Sequence, residues 1–71
     1  MEYITIEDIQ KAVEQVRRFG IDARRDWLAH IEEDALYAEV LRNIVGGHPD
    51  PAGIAAAALK AKEINYGRWY A

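Results

Sequence analysis

The sequence predicts an all-α domain, a small three-helix bundle, and three observations carry that expectation. Apolar residues recur at helical spacing behind good N-cap residues; glycine and proline fall at the gaps between such segments; and no pair of alternating segments offers strands for a sheet. The chain has 71 residues, so one domain over 1–71 is expected, near the lower limit for a single packed core. A hydrophobic content of 51% is too high for a disordered acidic segment.

The first helix is expected over about residues 6–19. Thr5 is a suitable N-cap, and Asp8 three residues later completes a variant of the capping box. Ile6, Ile9, Val13 and Val16 share one face, while Lys11, Glu14, Gln15 and Arg18 take the other. Glu7 and Asp8 suit the positive end of the helix dipole, Arg17 and Arg18 the negative end, and Gly20 is the natural stop.

The second helix is expected over about residues 23–45, capped by Asp22 and closed by Gly46 and Gly47. Its first half presents Trp27, Leu28, Ile31 and Ala35 as a core stripe. Its second half presents Leu36, Tyr37, Val40, Leu41, Ile44 and Val45 over a wider, displaced arc. Two solutions follow: one long helix wedged between two neighbours, or four helices in all if the segment breaks near Asp34. The absence of Gly or Pro between 23 and 45 favours the single helix.

Asp50 at the N-cap and Pro51 at the first helical position start a third helix, expected over about residues 51–66. Ile54, Ala57, Ala58, Ala61 and Ile64 form its core stripe, with alanines small enough for close approach to helix two. Leu59 and Tyr66 fall off that stripe. Tyr3 to Ile6 alternates briefly but has no partner segment, so no strand is expected.

Chemistry-bearing residues are few. The chain has no cysteine and no serine, which removes disulfides, thiolate metal ligation and the usual nucleophiles. The Gly46–Gly53 loop lacks the lysine of a phosphate-binding loop, and adjacent carboxylates such as Glu32 and Glu33 point in different directions along a helix. His30 with Glu33 or Asp34 supplies two ligands at helical spacing, short of the three or four that a metal site needs. The expectation is a non-enzymatic protein with no cofactor and no metal, and with Glu32–Asp34 as a solvated helix face.

Four arginines, Arg17, Arg18, Arg24 and Arg25, flank the first turn in a chain of net charge −3. Arg24 and Arg25 sit where a helix N-terminus disfavours cations, at a cost of a few tenths to about 1 kcal/mol each. Such a corner suits an acidic protein surface or a nucleic-acid backbone; the bland alternative is a solvated network with Asp22, Asp26 and other carboxylates. A helix-turn-helix with Gly20 in the turn fits poorly, because Asp26 falls where an apolar residue belongs and Trp27 is better as a core anchor.

Arg68, Trp69 and Tyr70 near the C-terminus are residue types enriched in interface hot spots, although Trp69 equally suits the closing of a small core. A strip through Tyr37, Val40 and Ile44 exceeds what two neighbouring helices can cover, which suits a homo-oligomer or a partner helix. The functional expectation is therefore a small interaction or regulatory domain, soluble and cytoplasmic, with no membrane contact. It would bind another protein with an acidic surface through Arg17, Arg18, Arg24, Arg25, Tyr37, Arg68, Trp69 and Tyr70. The alternative is a nucleic-acid-binding domain using the arginine cluster.

Overall fold

A computed structural model describes residues 3–22 and 24–66. Within them lie three α-helices, α1 (Ile6–Ile21), α2 (Asp26–Val45) and α3 (Pro51–Leu59), followed by a 3-10 turn over Lys60–Glu63; no strand occurs among the described residues. The all-α bundle expected from the sequence is the observed fold. Helix α2 is unbroken at Asp34, so the four-helix option does not occur.

Helix α1 begins as its sequence dictates. The Asp8 backbone N–H donates to the Thr5 hydroxyl at 3.0 Å, and the Thr5 backbone N–H donates back to the Asp8 carboxylate at 3.2 Å. These bonds, led by that of the Thr5 backbone, hold the Asp8 carboxyl below its ordinary pKa of 3.8. Ile9, Val13 and Val16 are buried, whereas Ile6 is partly exposed.

The stop differs from expectation. The helix passes through Gly20 to Ile21, with Asp22 as C-cap donating its N–H to the Phe19 carbonyl. Gly20 serves close packing instead: a Cβ there would lie 3.0 Å from Tyr66 Cβ. Helix α2 correspondingly starts at Asp26 rather than Ala23, with Arg25 as an N-cap whose side chain makes no capping bond to the helix. Asp22 organises the turn, accepting from the Arg24 backbone N–H at 2.9 Å and the Arg25 Nε at 3.2 Å.

The face that α2 turns inward is not the one its apolar residues suggest. Ala29, Glu33, Leu36, Val40 and Asn43 are buried. Trp27 and Ile31, expected in the core, are 59% and 53% exposed, and Ala35 is exposed as well. Small Ala29 is fully buried on the inward face, where a small side chain permits close helix approach, so packing geometry outranks side-chain hydrophobicity in setting the helix rotation. The solvated-face expectation for Glu32–Asp34 also fails at Glu33, which is 2% exposed.

Helices α1 and α2 run antiparallel. The Ile4 N–H just before α1 donates to Asn43 Oδ1 near the end of α2 at 2.8 Å, and the Tyr3 hydroxyl donates to the Gly46 carbonyl at 3.1 Å. Gly47 takes φ +88°, a left-handed conformation suited to glycine, as the chain leaves α2. Asp50 then caps α3 by accepting from the Gly53 N–H at 3.0 Å, with Pro51 at the first helical position. Ile54, Ala58, Ala61 and Ile64 are buried as their spacing implies. Helix α3 is shorter than expected, tightening into the 3-10 turn after Leu59, and the extended residues beyond it carry Tyr66 into the core.

Candidate partner-binding surface

The arginine corner is built by the turn between α1 and α2. Each guanidinium has a carboxylate of the same chain nearby: Arg17 and Arg18 lie 3.4 and 4.0 Å from Glu14, and Arg24 and Arg25 lie 3.7 and 3.2 Å from Asp22. Arg25 also covers the Phe19 ring at 5.8 Å. All four side chains stay more than half exposed, so their pairing is that of surface salt bridges worth about 0–1 kcal/mol, and the charges face water. Two carboxylates serve four cations here. The corner keeps a positive balance.

The Tyr37 strip lies between α2 and α3. A shallow apolar groove is lined by Tyr37, Val40, Leu41 and Ile44 from α2 and by Ala55, Ala58 and Leu59 from α3. It exists because the alanines of α3 leave room beside α2 while the larger Leu41 and Leu59 stand at its edges, each about 60% exposed. The Tyr37 hydroxyl does not face the groove as a free polar group; it donates to Glu33 Oε2 at 2.6 Å. Arg68, Trp69 and Tyr70 lie outside the described residues.

Glu33 is the residue that sequence inspection missed. Its buried carboxylate accepts from the Tyr37 hydroxyl on one oxygen and from the Tyr66 hydroxyl on the other, with Lys62 Nζ 3.9 Å away. A buried charge is tolerable only with such donors. The available signal was the tyrosine four residues later in the same helix, one turn away on the same face.

His30 Nε2 lies 3.6 Å from Asp34 Oδ2, whereas Glu33 turns inward to its tyrosines. The histidine-and-carboxylate set considered for a metal is thereby divided between surface and core. Among the described residues no group of three His, Asp or Glu side chains is arranged to hold a metal ion. His48 sits instead in the loop before α3. Its Nδ1 accepts from the Asp50 N–H at 2.9 Å, which leaves Nε2 to donate to the Ile4 carbonyl at 2.7 Å.

Beside the groove, α2 presents Trp27, Ile31, Leu41 and Val45 to solvent. Scattered exposed leucines are ordinary, but a tryptophan and three branched side chains along one helix form an apolar face that Asp34 alone interrupts. No helix among the described residues is long and apolar enough to cross a membrane. No protein-family model matches this chain, and neither a curated protein nor a solved structure matches it.

Proposed function

We propose that the chain is a non-enzymatic interaction domain that binds another protein through the apolar face of α2 and its groove with α3. The observation that carries this reading is the exposure of Trp27, Ile31, Leu41, Val45 and Leu59 in so small a domain. A chain of this size has few large side chains to spare from its core, and leaving these outside favours a surface that another chain covers. Arg17, Arg18, Arg24 and Arg25 supply a cationic rim that steers an acidic partner and weakens as salt rises.

Nucleic-acid binding through the same arginines is the weaker reading, because Glu14 and Asp22 already offset half of the corner's charge. The test is capture of binding proteins by the wild-type chain beside two variants, Arg24→Glu/Arg25→Glu and Leu59→Asp. A partner lost with Leu59→Asp and weakened by the arginine exchange is expected. A partner retained equally by both variants would overturn the assignment of the surface. Salt-dependent retention of DNA or RNA, lost in the arginine variant, would favour the nucleic-acid alternative.

A further inference from the structure

Helix α2 carries two seams with the same spacing. Ala29, Glu33, Leu36, Val40 and Asn43, alternately four and three residues apart, face the core. Trp27, Ile31, Asp34, Ala38, Leu41 and Val45 repeat that alternation on the outward face, and all but Asp34 are apolar. Alternation of four and three is the spacing of the a and d positions along which two helices pack knobs into holes. Building on the protein-binding reading above, we infer that the outward seam pairs with a second copy of the chain, the two α2 helices running antiparallel.

Charge decides the orientation. A parallel pair sets every seam residue against its own copy, which brings two Asp34 carboxylates together and crowds Arg24 and Arg25 against their counterparts. A two-fold antiparallel pair centred beside residue 36 sets Trp27 against Val45, Ile31 against Leu41 and Asp34 against Ala38 of the second copy. The large indole then meets a small side chain, two branched side chains meet, and the carboxylate faces a methyl group. Asp34 already leans to the flank, 3.6 Å from His30. The same pairing carries Arg24 and Arg25 to the C-terminal end of the second α2, where the helix dipole favours cations. At the start of their own helix it disfavours them. The arginine corner and the apolar seam become two parts of one surface.

The 20-residue α2 spans about 30 Å, so this seam alone is a short interface and the dimer is expected to be a weak one. Sedimentation equilibrium of the full chain from about 10 μM to about 1 mM should show monomer converting to dimer. Leu41→Asp should weaken association at least about tenfold with helix content unchanged at low concentration, because Leu41 is 62% exposed in the monomer. For orientation, the cysteine-free chain permits directed cross-linking. Oxidised mixtures of Trp27→Cys and Val45→Cys chains should form the mixed disulfide well ahead of the Val45→Cys homodimer.

Three results would each overturn the proposal: a wild-type chain that stays monomeric to the highest concentration, a Leu41→Asp variant that associates like wild type, or Val45→Cys chains that cross-link to themselves first. A monomeric wild type that still captures a partner through the Leu59-lined groove would remove self-pairing while leaving the protein-binding reading in place.

Discussion

Glu33 shows how one side chain ties helix α2 to the segment that follows the 3-10 turn. Its carboxylate receives hydroxyl donors from Tyr37 on its own helix and from Tyr66, 33 residues away. Deleting it leaves both hydroxyls without this acceptor, so Glu33→Ala should cost about 3 kcal/mol in a urea unfolding titration. Glu33→Gln keeps one acceptor oxygen and should cost less. Tyr66→Phe should cost about 1–2 kcal/mol, because the buried carboxylate loses a donor while the ring still packs. A Glu33→Ala loss below about 0.5 kcal/mol would mean that the carboxylate is solvated rather than enclosed. Nothing in the Glu32–Asp34 run identifies Glu33 as buried, since burial of a charge depends on donors supplied by distant parts of the chain. Gly20 is similar: its place in the sequence suggests a helix stop, but its use is to admit Tyr66, which only the fold brings near.

At the scale of elements, helix ends were legible wherever a local bond defines them. The Thr5–Asp8 box and the Asp50–Pro51 start are short-range chemistry, and both form as the residues imply. The start of α2 was not, because Asp22 spends its carboxylate on the turn instead of on an N-cap. The rotation of α2 was not legible either. With apolar residues around most of its circumference, neither face is marked as inner, and the face of small Ala29 is buried while that of large Trp27 is exposed. The capping box gives a pH prediction with a definite sign. Asp8 titrates lower in the folded chain than in the unfolded one, so its contribution is present above the ordinary carboxylate range. It is lost as pH falls through the lowered folded value. Protection against hydrogen exchange in the first turn of α1, measured relative to the unfolded chain at the same pH, should therefore fall below about pH 3.8, and Asp8→Asn should flatten that response. A second prediction concerns Asn43, which joins the segment before α1 to α2 through Ile4. Asn43→Leu should speed exchange of the Ile4 amide and destabilise the domain by about 1–3 kcal/mol, the cost of stranding that donor.

For the whole molecule, the economy of large side chains explains why one domain carries two kinds of surface. The core is assembled from isoleucine, valine and alanine with Leu36 and Tyr66, while Trp27, Leu41 and Leu59 stay outside. Substituting the outer residues should therefore leave folding nearly untouched: Ile31→Asp and Leu41→Asp should shift unfolding free energy by no more than about 0.5–1 kcal/mol at dilution. Leu36→Ala, on the inner seam, should cost about 2–4 kcal/mol. That division of α2 is best tested by thiol labelling of two single-cysteine variants, Ile31→Cys and Leu36→Cys, at low concentration. The thiol introduced at 31 should react nearly as fast as in unfolded chain, and the one at 36 should be slowed by about two orders of magnitude or more, as global opening limits it. Fast labelling at 36 with protection at 31 would show α2 rotated onto its Trp27–Ile31 face, and would contradict the account.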